Sequence, residues 1–182
     1  DFFEKQPSFR FSRLEKFSGT GVYALYYDGK FNHYQNYKSI INRIAIRPLY
    51  VGKAVPAGWR QSKSKINSKG TNIELYRRIN EHRKSIEIVE NLNTNDFLIR
   101  FMTFDSELID MISTVEARLI NLHKPLWNSC IDGFGNHDPG KGRYQQAKSD
   151  WDVIHPGRYF ASKCKGIPSK KSLILSNIKK ML

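Results

Sequence analysis

Acidic residues are scarce in this chain. Seventeen aspartates and glutamates stand against 30 lysines and arginines in 182 residues, a formal net charge of +13 at pH 7. That imbalance exceeds what solubility asks for and points to a polyanionic partner, nucleic acid first. Cysteine is almost missing. Cys130 and Cys164 are too few for a disulfide framework and are not spaced as zinc ligands, so both are expected to be reduced and structural. The five histidines, His33, His82, His123, His137 and His155, fall into no HExxH or CxxC-like pattern, which argues against a protein-caged transition metal and for a hard ion on oxygen ligands. No apolar run approaches the roughly 18 residues of a membrane-spanning helix, and the first residues have no signal-peptide pattern. The chain is therefore read as soluble and cytoplasmic, with no membrane partner. Repeats, low-complexity tracts and interdomain linkers are also missing. With 40% hydrophobic and 13% aromatic residues, positions 1–182 are expected to form one unit around one sizeable core.

What is present is a mixture of strand and helix signals. After a basic, aromatic N-terminal arm over residues 1–20, positions 21–27 are rich in β-branched and aromatic residues and stop at Asp28-Gly29, as a strand running into a turn does. A second short strand is expected over 48–53, pairing with the first as an antiparallel hairpin with an enlarged connection. Residues 54–70 carry Arg60, Lys63, Lys65 and Lys69 with hardly an apolar side chain, the composition of a loop that either contacts DNA or is a solvated insertion. The capping-box pattern Thr71-Asn72-Ile73-Glu74 predicts a helix from there to about residue 88, with Arg78 and His82 on one face. A third strand is predicted over 96–103. Asp105 or Ser106 would then cap a second helix that ends before Pro125. Its apolar stripe is Leu108, Ile109, Ile112, Val115, Leu119 and Ile120, and Glu116 falls on the same face. A carboxylate aimed at a core needs a partner, either a metal or a buried cation such as an arginine. Residues 129–182 are loop-rich until a last helix over 170–182, free to dock on the core or on a second subunit. The fold class is α+β: a small antiparallel sheet of about three strands flanked by helices.

The order Tyr23, Tyr50, Arg78, His82, Glu116, Asn128 collects two strand tyrosines, a helical Arg/His pair, an inward glutamate and an asparagine just beyond it. Singly, each has an ordinary structural explanation. Together they resemble the GIY-YIG nucleases, with Gly21-Val22-Tyr23 at the first tripeptide and Tyr50-Val51-Gly52 at the second. Both depart from the pattern only by valine for isoleucine, which keeps strand propensity. The resemblance covers about residues 21–128 and implies the following roles. Glu116 holds the single Mg²⁺ ion of the active site, Arg78 clamps a phosphate oxygen, Tyr23 is the general base assisted by His82 and Tyr50, and Asn128 supports the glutamate region. Lys53 would help neutralise the phosphate. Since an unperturbed tyrosine, with a pKa of about 10, is a poor base at neutral pH, the role asks for positive charge favouring the phenolate, or for His82 as proton acceptor.

Within that family the compact form, without linkers or appended reading modules, is expected to be a type II restriction endonuclease rather than a homing enzyme or a repair nicking module. The segment 150–158, with Trp-Asp and His-Pro-Gly-Arg, resembles enzymes that cut a GC-rich palindrome of the CCGCGG type. That resemblance implies double-stranded DNA as substrate, a homodimer on the site and a cognate DNA methyltransferase as system partner in a bacterial cytoplasm. Arg158 and the cations of the basic loop are candidate base readers. A non-catalytic basic protein explains the charge equally well but not the inward Glu116.

Overall fold

In the computed structural model, residues 2–37, 39–41, 44–56 and 72–182 are described. Four strands make the main antiparallel sheet: β1 (Ser8–Arg10), β2 (Thr20–Tyr27), β5 (Tyr50–Ala54) and β6 (Phe97–Phe104), in the order β1-β6-β2-β5. Between β2 and β5 a separate two-stranded hairpin is inserted, β3 (Ile40–Ile41) with β4 (Ile44–Ala45). The three strands expected from sequence are present and antiparallel as expected. The fourth, β1, comes from the N-terminal arm, whose three residues pair with Leu98, Ile99 and Arg100 of β6. All three β1 residues are exposed, so the arm lacked the buried alternation that marks a strand in sequence.

Every residue of β2 is buried, because this central strand is covered on both faces. Tyr23, Leu25 and Tyr27 point into one core cluster with Leu75, Ile79 and Ile86 of α1 (Glu74–Glu87). Val22, Ala24 and Tyr26 point into the other with Ile109, and with Ile112 and Leu119 of α2 (Met111–His123). The molecule is thus layered as helix, sheet, helix. The first cluster is extended by α3 (Leu126–Ser129), α4 (Asp150–Ile154) and α6 (Lys171–Met181), through Leu126, Trp127, Trp151, Ile154, Ile174 and Ile178. Sequence left open whether the last helix docks on the core or on another subunit. Burial of Ile174 and Ile178 shows that it docks on this core.

Two helix starts differ from expectation. The N-cap of α1 is Ile73, with Glu74 already in the first turn and its amide bonded to Asn72 Oδ1 at 3.2 Å. The capping box would make Glu74 the third helical residue where it is the first, and Thr71 lies outside the described residues. Asp105 precedes a single turn of 3-10 helix, Ser106–Leu108, and α2 begins only at Met111, which leaves Leu108 exposed. The end of α2 before Pro125 is as expected. It closes on Lys124 in the left-handed conformation (φ 42°), the turn that lets Pro125 and α3 fold back onto β5.

Candidate active site

Tyr23 and Tyr50 come from neighbouring strands. In the β2/β5 register Tyr23 faces Gly52, so the glycine of the second tripeptide leaves the space that the two rings occupy. A Cβ on Gly52 would lie 2.5 Å from the Tyr23 hydroxyl and 3.0 Å from the Tyr50 ring. Gly21 is just as constrained, since a Cβ there would sit 1.9 Å from the carbonyl oxygen of Met102 on β6. The two motif glycines are thus packing requirements, one for the sheet and one for the rings.

Above this face runs α1, whose buried stripe is Leu75, Ile79, His82 and Ile86. His82 therefore occupies a core position of the helix and is carried down onto the tyrosines. Its Nε2 lies 2.5 Å from the Tyr23 hydroxyl, and both groups are buried. Burial, with help from the nearby Arg78 charge, lowers the His82 pKa well below 6.5. In the neutral tautomer protonated at Nδ1, Nε2 accepts the Tyr23 O–H. Burial also raises the Tyr23 pKa well above 10; Tyr50 and Glu116 act in the same direction, and Arg78 opposes them. The expectation of a phenolate favoured by surrounding cations is therefore corrected for the free protein: loss of hydration outweighs the guanidinium.

Arg78 stands one turn before His82, with its guanidinium held by the loop of residues 133–138. Nη2 donates to the Gly135 carbonyl at 2.9 Å, and Nη1 contacts Glu81 Oε2 at 3.1 Å and the imidazole of His137. Phe134 of the same loop stacks on His82, with centroids 4.4 Å apart and planes 18° from parallel. A Cβ on Gly135 would come within 3.0 Å of the Tyr50 hydroxyl and 3.2 Å of Arg78 Nη2. Sequence reasoning passed over this loop. Its glycines read as loop chemistry, and nothing in their spacing announced a lid over the tyrosines.

Glu116 arrives from the other side. Side chains alternate along β5, so Tyr50 faces α1 while Lys53 faces α2, and Lys53 Nζ lies 2.6 Å from Glu116 Oε2 with both side chains partly exposed. The core-facing carboxylate does have a cation partner, a lysine instead of the arginine considered. Because β5 is the outer strand, the two faces meet at its edge, and Glu116 is near enough to push the pKa of both tyrosines upward. Asn128 reaches the same edge. Its Oδ1 accepts from the Val51 amide at 2.8 Å and its Nδ2 donates to the Val51 carbonyl at 2.9 Å. It thus takes the place of a further strand on β5, and Lys53, two residues along that strand, is the residue that pairs with Glu116.

Tyr23, Tyr50, Arg78 and His82 come together on one face, Glu116 and Lys53 reach the same edge from the other, and Asn128 braces the strand between them. Arg158 does not belong with the DNA readers. It is buried, ion-paired to Asp152 at 2.6 Å and bonded to the carbonyls of Gly133, Phe134 and Asn136, so no donor is left for a base edge. Its place in a His-Pro-Gly-Arg turn suggested exposure, but the acidic α4 before it captures the guanidinium. Arg60, Lys63, Lys65 and Lys69 lie outside the described residues.

The family model for the Eco29kI GIY-YIG domain matches residues 15–182. The chain belongs to this family. It is accordingly a GIY-YIG restriction endonuclease, an enzyme that acts on DNA. No curated protein matches the chain. The family match extends well past residue 128, where the two tripeptides and the residues grouped with them end, and takes in α4, α5 (Tyr159–Ser162) and α6. No helix among the described residues is long and apolar enough to cross a membrane.

Proposed function

We propose that this GIY-YIG enzyme is a Mg²⁺-dependent type II restriction endonuclease that hydrolyses both strands of a short, GC-rich palindrome as a homodimer. The observation that carries the catalytic reading is the buried contact of the Tyr23 hydroxyl with the neutral His82 ring, set beside Arg78. Tyr23 takes a proton from the attacking water as it passes its own to His82. Tyr23 thus stays neutral throughout, and the positive charge gained by His82 is offset by the negative charge that builds on the attacked phosphate. Arg78, permanently charged and offering paired donors, stabilises the phosphoryl oxygens, and Tyr50 helps orient the water. Lys53 balances Glu116 in the free protein and is placed at the same edge to help neutralise the phosphate.

Among the described residues no group of three or more His, Cys, Asp and Glu side chains could hold a metal ion; Glu81 is taken up by Arg77 and Arg78, and Glu116 offers its carboxylate at a partly open edge. That donor set suits Mg²⁺, which keeps most of its water and uses one or two carboxylates with substrate phosphate oxygens. Bound there, the ion would polarise the phosphate and stabilise the leaving 3′ oxygen. Double-stranded DNA is the substrate in this reading, a cognate methyltransferase protects the host sites, and the setting is the bacterial cytoplasm. Plasmid digestion with Mg²⁺ or with EDTA tests it. Discrete fragments with one common GC-rich end sequence, seen only with Mg²⁺, are expected, together with two chains per palindromic duplex in sedimentation. A smear, or cleavage unaffected by EDTA, would refute the specific, metal-dependent reading.

A further inference from the structure

We propose that Arg158, anchored by Asp152, is a positioning residue that holds the 133–137 loop in place over Arg78 and His82. The inference rests on the reading of those two residues as part of the catalytic site.

Arg158 uses its donors fully. Nε donates to Asp152 Oδ1 at 2.6 Å, Nη2 to Asp152 Oδ2 at 2.8 Å and to the Gly133 carbonyl at 2.8 Å, and Nη1 to the carbonyls of Phe134 at 3.1 Å and Asn136 at 3.3 Å. A guanidinium has five N–H groups, and each finds an acceptor. The carbonyl left out of this set, Gly135, instead accepts from Arg78. The loop is therefore a peptide bridge between two guanidiniums. Its side chains continue the link, with Phe134 lying between His82 and Trp151 and His137 touching Arg78.

Stability alone is a poor reason for this arrangement. The Arg158 and Asp152 side chains are only 1% and 2% exposed, and a buried ion pair seldom stabilises more than apolar residues of similar volume would. What an apolar substitute lacks is the ability to orient three carbonyls at once. Asp152 is itself fixed, since Ser149 Oγ donates to Oδ2 at 2.7 Å and α4 is packed through Trp151, whose ring lies 4.5 Å beneath the guanidinium. The anchor is thus tied to the core, while the loop it holds meets the chemistry.

Arg158→Lys tests the proposal, because it keeps the charge but has three donors and no planar fork. Three measurements are made: single-turnover cleavage at saturating duplex, duplex affinity, and the ring resonances of His82 in the DNA-free protein. Cleavage is expected to fall about ten- to a hundredfold, the scale of a misplacement near 1 Å, with affinity changed less than about threefold. The His82 resonances should move as Phe134 leaves its face. In an Arg78→Lys background the same substitution should have little further effect on rate. Unchanged His82 resonances, a wild-type rate per folded molecule, or full additivity with Arg78→Lys would each overturn the proposal. If Arg158→Lys does not fold, Asp152→Asn, which weakens the anchor and leaves the carbonyl bonds, decides it by the same criteria with a smaller expected effect. If Arg78→Lys alone cleaves at the wild-type rate, the site assignment fails, and the His82 resonances still decide the coupling.

Discussion

Tyr23 presents its hydroxyl where water cannot hydrate a phenolate, so its usefulness depends on the neighbour that receives the proton. In the proposed mechanism that neighbour is His82, whose Nε2 lies 2.5 Å away and which burial keeps neutral. Tyr23→Phe removes only the hydroxyl, and single-turnover cleavage is expected to drop by about 10²-fold or more while folding and DNA binding persist. The pH profile carries a second signature. Protonating His82 removes the acceptor, and its pKa lies well below 6.5 while that of Tyr23 lies well above 10. The cleavage rate should therefore be flat through the neutral range and decline only well below pH 6.5. A rate climbing tenfold per pH unit between 6.5 and 8 would instead assign the proton transfer to another group. Glu116→Gln keeps the shape and loses the charge that offsets Lys53 and would hold Mg²⁺. A fall of about a thousandfold in cleavage, with duplex affinity nearly unchanged, is expected from the loss of several kcal/mol of transition-state stabilisation. Near wild-type cutting would remove Glu116 from the site.

The element on which both tyrosine function and charge balance depend is β5. It is an outer strand, and an unpaired edge here would leave Tyr50 and Lys53 free to shift register. Asn128 closes that edge through two bonds to Val51, so Asn128→Ala should destabilise the fold by about 1–3 kcal/mol, seen as a lower denaturant midpoint. It should also lower the cleavage rate of the molecules that remain folded. A midpoint within error of wild type would mean that β2 alone holds the strand. The basic segment between β5 and α1 belongs to the same scale. Neutralising Lys63, Lys65 and Lys69 together is expected to reduce the salt slope of DNA binding by about one unit for each phosphate that is no longer neutralised. An unchanged slope would make the segment a solvated insertion.

For the whole molecule, buried histidines couple folding to pH. His155 is enclosed by Tyr34, whose hydroxyl donates to Nε2 at 2.7 Å, and by Asn91, which accepts from Nδ1 at 2.9 Å. Burial, aided by Arg158, lowers its pKa to about 3, against 6.5 for the unfolded group. Between those values the unfolded chain binds a proton that the folded chain does not, so stability is fully present above pH 6.5 and is lost as pH falls toward 3. Each such histidine contributes at most about 1.4 kcal/mol per pH unit in that window. Denaturant unfolding at pH 7, 6, 5 and 4 should show this loss, and His155→Gln should flatten it by close to one proton. Parallel slopes would show that His155 is not the group responsible.

Much of this protein is local information. The β-branched and aromatic run over residues 21–27, the stripe of α2 and the order from Tyr23 to Asn128 follow from chain periodicity and residue chemistry, so the α+β class and the converging residues were legible from sequence. Helical spacing also put Arg78 and His82 on one face, since periodicity alone sets which side chains of a helix are neighbours. Three things were not legible, each because it depends on contacts distant in sequence. An exposed arm becomes β1 only when β6 offers its edge. Lys53 is the partner of Glu116 only because two faces of the sheet meet at β5, which no linear spacing encodes. Arg158 looked like a surface cation and is a buried anchor, because a guanidinium with five donors goes where packed carbonyls and a carboxylate outcompete water, and only the tertiary structure brings Asp152 and the 133–137 loop to that point.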